Sequence, residues 1–91
     1  MTTDELKVAL ENICSRINEG TSNHGVLFIE GHGVLTEFMN NGGGKNAAYD
    51  ILHGMYEKYY ETNQAAEDLT TDWMDCITGY YGGKNLTDWQ S

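Results

Sequence analysis

The sequence predicts a mostly helical α+β domain in which three amphipathic helices pack on a short β-hairpin. Apolar residues recur at helical spacing over about 2–19, 46–63 and 64–81. Between the first two segments, the apolar run from Val26 to Ile29 lies between Gly25 and Gly31 and is typical of a buried strand, which predicts a hairpin over about 26–38. An all-α fold is the alternative. Because a chain of 91 residues supports one core, we expect residues 1–91 to form a single compact domain.

The first helix is predicted by a stripe of apolar residues and by its capping signals. The stripe consists of Leu6, Ala9, Leu10, Ile13 and Ile17. Thr2 and Glu5 have the spacing of a capping box, in which each side chain accepts a hydrogen bond from the other residue's backbone. Gly20 is the predicted stop, because glycine readily adopts the left-handed conformation that ends helices.

Residues 26–38 are open to two interpretations. The run from Val26 to Ile29 is rich in β-branched and aromatic residues, which favours a strand. Gly31-His32-Gly33 then supplies a turn, and residues 34–38 would form the second arm of a hairpin. The apolar spacing in residues 34–39 also fits a short helix, so the all-α alternative depends on this segment.

The second helix is predicted over 46–63, with Asn46 as its N-cap after the glycine-rich connection 42–44. Its apolar side consists of Ala48, Ile51, Leu52, Met55, Tyr56 and Tyr59, with Tyr49 and Tyr60 at the margin. On a helical wheel, Asp50, Glu57 and Glu61 share the opposite side. The sequence therefore predicts a row of carboxylates along this helix.

The third helix is predicted over 64–81, where the glycine pair 82–83 would end it. Its core stripe consists of Leu69, Trp73, Cys76, Ile77 and Tyr80. Asp68, Asp72 and Asp75 follow one edge of that stripe at i, i+4 and i+7. These positions are neighbours on a helix surface, so a second row of carboxylates is predicted.

The charge of the chain restricts its partners. Fourteen Asp and Glu residues against five Lys and Arg give a net charge of −9. Direct binding to nucleic acid or to anionic lipid needs a cationic face, so a basic protein or nucleoprotein complex is the expected partner. No apolar run approaches the roughly 20 residues that span a bilayer. The N-terminus lacks the pattern of a secretory signal, so we expect a cytoplasmic protein.

No residue pattern indicates a reaction. His24, His32 and His53 lack the spacing of metal ligands, and the glycines before Lys45 do not match a phosphate-binding loop. Cys14 and Cys76 fall on apolar helix faces, where we expect reduced, buried thiols. We therefore predict no enzyme activity, no metal site and no cofactor.

The acidic rows and two tyrosines form the predicted partner-binding site. Its residues are Asp50, Glu57, Glu61, Asp68, Asp72, Asp75, Tyr56 and Tyr60. Carboxylates along a helix row stand about 6 Å apart, an interval similar to that of phosphates along a nucleic-acid strand. Exposed aromatic side chains are enriched at the centres of protein interfaces. Together these features indicate a surface that binds a basic protein.

In size, charge and acidic rows the chain resembles the small acidic inhibitors of bacteriophages and mobile elements, with no shared motif. These inhibitors include anti-CRISPR and anti-restriction proteins, some of which imitate the charge of DNA. The resemblance implies a non-catalytic, phage-encoded inhibitor that occupies a basic nucleic-acid-binding surface of a host complex, in the host cytoplasm. The alternative is a structural or adaptor module that forms a homodimer or joins a larger assembly through its aromatic face.

Overall fold

The computed structural model describes residues 2–17 and 23–79, and this part of the chain forms four α-helices without a β-strand. The helices are α1 (Thr3–Ser15), α2 (His24–Asn40), α3 (Lys45–Tyr59) and α4 (Gln64–Thr78). The all-α alternative is therefore confirmed, and the predicted hairpin over 26–38 is wrong. The predicted stops at Gly20 and at 82–83 lie outside the described residues.

The start of α1 is the one predicted from the sequence. The backbone N–H of Glu5 donates to Thr2 Oγ1 at 3.1 Å, and the backbone N–H of Thr2 donates to Glu5 Oε1 at 2.9 Å. These two bonds complete the capping box. Hydrogen bonds from Thr2 also lower the pKa of the Glu5 carboxyl, because they favour its charged form.

Helix α2 replaces the hairpin because Gly31 is a packing position and not a turn. A Cβ atom at Gly31 would overlap with the indole of Trp73 from α4. The Trp73 ring therefore lies directly on the α2 backbone, where its Nε1 donates to the carbonyl oxygen of Phe28 at 3.0 Å. Trp73 is fully buried, so this contact provides a partner for its N–H in the core.

The boundaries of α3 and α4 differ from the predicted ones. Gly44 is the N-cap of α3, so the predicted capping role of Asn46 is wrong. Helix α4 begins after Asn63, whose side chain accepts a hydrogen bond from the backbone N–H of Ala66 at 3.2 Å. It ends at Gly79, which has a φ of 90°, a left-handed conformation that favours glycine.

One hydrophobic core joins the four helices. Its buried residues are Leu6, Leu10, Ile13, Cys14, Leu27, Phe28, Leu35, Phe38, Ala48, Leu52, Met55, Ala66, Leu69, Trp73, Cys76 and Ile77. Helices α3 and α4 form the most extensive pair, α1 packs mainly on α2, and α2 also packs on α4. Both cysteines are buried and free, as predicted. This arrangement leaves one flank of α3 open beside α4.

Candidate partner-binding surface

Four aromatic rings follow one flank of α3 and the turn after it, and we call them the aromatic stripe. They belong to Tyr49, His53, Tyr56 and Tyr60, at helical spacings of four, three and four residues. Successive ring centroids lie 6.3, 6.4 and 6.0 Å apart. Tyr60 is 53% exposed, and the rings at Tyr49 and Tyr56 are half-buried. The stripe therefore leaves part of its aromatic surface exposed to solvent.

Two carboxylates border the aromatic stripe. Glu57 Oε1 lies 3.0 Å from His53 Nδ1, which holds this exposed carboxylate against the stripe. Asp75 of α4 lines a groove of about 320 Å³ together with Tyr49 and Tyr56. One carboxylate from α3 and one from α4 thus lie beside the same aromatic stripe. A surface of this kind can bind a basic partner through both charge and apolar contact.

The acidic row predicted on the second helix does not form one face. Asp50 lies in a different groove, between α1 and α3, which Lys7 and Lys58 also line. Glu61 lies beyond the end of α3 in a turn, with a φ of 65°, so it does not continue the helical row. Glu57 is the member of this row that pairs with a residue of the aromatic stripe, His53.

The acidic row predicted on the third helix is also divided. Asp72 Oδ2 lies 2.7 Å from His24 Nε2, so its carboxylate joins α4 to the first turn of α2. Asp68 is exposed on α4, and Asp75 lies in the groove beside the aromatic stripe. The structure therefore brings together four of the predicted site residues, which are Glu57, Asp75, Tyr56 and Tyr60.

Tyr49 and His53 were not among the predicted site residues, although the sequence contains their signal. Tyr49 was assigned to the margin of the apolar side of its helix, and His53 was considered as a metal ligand. The intervals from 49 to 53, 56 and 60 place all four rings on one flank of a helix. An aromatic stripe at these positions is therefore readable from the sequence.

The buried polar groups of the core lie away from this surface. Cys14 Sγ lies 3.9 Å from Thr70 Oγ1, and burial raises the pKa of the Cys14 thiol. Burial, together with Cys14 and Glu11, raises the pKa of Tyr59 to about 12. Both groups are therefore neutral at physiological pH, a state that suits the core and leaves Cys14 unreactive.

Within residues 2–17 and 23–79, no group of three His, Cys, Asp or Glu side chains is placed to hold a metal ion. None of the four helices has both the length and the apolar character needed to cross a bilayer.

No family model matches the chain, and neither a curated protein nor a solved structure shows significant similarity to it.

Proposed function

We propose that this protein is a non-catalytic inhibitor, encoded by a phage or mobile element, that occupies a basic nucleic-acid-binding surface of a host complex. It would act in the host cytoplasm. The observation that supports this function is the aromatic stripe beside Glu57 and Asp75. The net charge of −9 adds long-range attraction to a basic groove.

The two parts of the surface have different roles in binding. Carboxylates steer the protein towards a cationic groove over about a Debye length, ~8 Å at physiological salt. After contact, Tyr56 and Tyr60 anchor the complex, because buried aromatic side chains contribute most to interface affinity. Asp50 lies in the groove between α1 and α3, and together with the exposed Glu61 and Asp68 it contributes to the general negative field. Asp72 contributes mainly to the contact between α2 and α4, since it pairs with His24.

The alternative of self-association through the aromatic face has less support. A symmetric pair would place the same surface of both copies in contact. Glu57 and Asp75 of one copy would then lie near the same carboxylates of the other, and like charges at an interface oppose binding. The aromatic face therefore suits a basic partner better than a second copy.

The proposal is tested by capture from a bacterial lysate with immobilised protein at 50 and 500 mM salt. Wild type is expected to retain a nucleic-acid-binding complex at low salt and to lose most of it at high salt, because exposed charges are screened. The double variant Glu57→Lys/Asp75→Lys is expected to capture no such complex at either salt concentration. Both positions lie in the second half of their helices, where a cation suits the helix dipole.

The matched control is Glu37→Lys, which also reverses an exposed carboxylate near a helix C-terminus but lies on α2. This variant is expected to retain the complex at low salt. Circular dichroism should show equal helicity for all variants, which separates binding from folding. Equal capture by wild type and by the double variant, or capture that is independent of salt, would contradict the proposed function.

A further inference from the structure

The groove between α3 and α4 combines tyrosines from one helix with a carboxylate from the other, and we call it the α3–α4 groove. Helix α3 contributes Tyr49 and Tyr56, and α4 contributes Met74 and Asp75. The volume of the groove is about 320 Å³, near the lower limit of about 300 Å³ for small-molecule sites. One side chain of a partner therefore suits it better than a whole small molecule.

The α3–α4 groove has a negative charge that is not compensated within the described residues. Asp75 is the one charged side chain among those that line it, and the ion pairs of the described part of the chain do not include it. Asp75 also lies in the last turn of α4, where the helix dipole adds partial negative charge. That turn contains no basic residue. A cation in the groove would therefore be attracted by both.

The two ends of the α3–α4 groove differ in charge. At one end, the neighbouring groove shares Tyr49 and is lined by Lys45. At the other end, the neighbouring groove shares Tyr56 and is lined by Glu57. A cation is repelled at the first end and attracted at the second, so a partner chain that carries it would enter over Tyr56 and Glu57.

An arginine side chain matches the groove better than a lysine side chain. The planar guanidinium stacks on the face of a tyrosine ring, and it donates two parallel hydrogen bonds to one carboxylate. The methylene stem of arginine packs on apolar groups such as Met74. A lysine ammonium is a compact, strongly hydrated charge that has no flat face to stack. The combination of rings and one carboxylate therefore favours arginine.

We propose that the α3–α4 groove binds one arginine side chain of the partner, with the guanidinium against the Tyr56 ring and paired with the Asp75 carboxylate. The inference rests on the proposed function for the origin of this arginine, because nucleic-acid-binding surfaces hold phosphates with arginine. In the complex, the carboxylate of Asp75 takes the place of a phosphate on that arginine.

Nuclear magnetic resonance titration with short peptides tests the groove without the host complex. Three glycine tripeptides are used, which differ only in a central arginine, lysine or citrulline. The arginine peptide is expected to give saturable shifts at the amides of Tyr56 and Asp75. It should bind about fivefold more tightly than the lysine peptide. Citrulline has a similar shape but no charge, so its peptide should bind about tenfold more weakly than the arginine peptide.

Two variants separate the contributions of charge and ring. Asp75→Asn should weaken binding of the arginine peptide about tenfold. Asp50→Asn is the matched control, since Asp50 lies in the groove between α1 and α3, and it should bind like wild type. Tyr56→Leu keeps an apolar side chain but removes the ring, so it should lose the preference for arginine over lysine.

The outcomes distinguish this proposal from the proposed function. Absence of saturable shifts with the arginine peptide, equal affinity for the lysine peptide, or unchanged binding by Asp75→Asn would overturn the arginine site. These results would do so even if a complex is captured from the lysate in a salt-dependent manner. Arginine binding in the groove without any captured complex would support the site and contradict the proposed function.

Discussion

Replacement of Gly31 by alanine is expected to lower the free energy of unfolding by about 2 kcal/mol, because overpacking of a core costs about 1–3 kcal/mol. The new Cβ would overlap with the Trp73 indole. Trp73 would have to move away from α2, and the hydrogen bond from its Nε1 to the carbonyl oxygen of Phe28 would lengthen or break. The better helix propensity of alanine offsets only part of this loss.

The matched control for this prediction is Gly54→Ala. Gly54 also lies inside a helix, but a Cβ there would meet nothing within 4 Å. Since alanine favours a helix over glycine by about 1 kcal/mol, this variant should be more stable than wild type. Urea unfolding followed by circular dichroism measures both changes. Equal effects of the two substitutions would show that Trp73 does not pack on the backbone of α2 at Gly31.

Truncation of Tyr60 to alanine is expected to weaken binding to the captured complex by about 30-fold, equivalent to about 2 kcal/mol. Tyr60 is 53% exposed, and its ring is tilted by 41° against that of Tyr56, with 6.0 Å between centroids. Tyr60 is the C-cap of α3, and its exposed ring contributes little to the core. The free energy of unfolding should therefore change little while the affinity falls.

The control for this truncation is Val8→Ala, which removes an exposed apolar side chain from α1. Its affinity for the captured complex should equal that of wild type, and biolayer interferometry measures all three proteins on one immobilised partner. If the affinity of Tyr60→Ala lies within about twofold of wild type, a difference below about 0.5 kcal/mol, the aromatic stripe is not part of the interface.

Helices α1, α3 and α4 were predictable because their apolar residues have a period that only a helix satisfies. Helix α2 was not, because its apolar residues face both the core and the solvent, so the run from Val26 to Ile29 shows no period. A glycine at position 31 is compatible both with a hairpin turn and with a helix that packs closely under a tryptophan. The structure has the helix because Gly31 contacts Trp73, which lies 42 positions later in the sequence.

The members of the site could be assigned to helices from the sequence, but their neighbours could not. Helical spacing predicted Tyr56 on the apolar side of α3, Tyr60 at its margin and Glu57 on the opposite side, and it missed the pairing of Glu57 with His53 beside the rings. It carries no information on how α3 and α4 pack, and that packing brings Asp75 to the rings and directs Asp72 towards His24. Glu61 was misplaced for a local reason, because α3 ends at Tyr59 and the turn after it changes direction.

Competition between this protein and duplex DNA for the captured complex tests the central claim most directly. Labelled protein is bound to the purified complex, duplex DNA is added, and fluorescence anisotropy reports the protein that remains bound. Because the protein is proposed to occupy the nucleic-acid-binding surface, DNA should release it completely, at concentrations that match the affinity of the complex for DNA. A ternary complex, with protein and DNA bound together at saturating DNA, would contradict the proposed function.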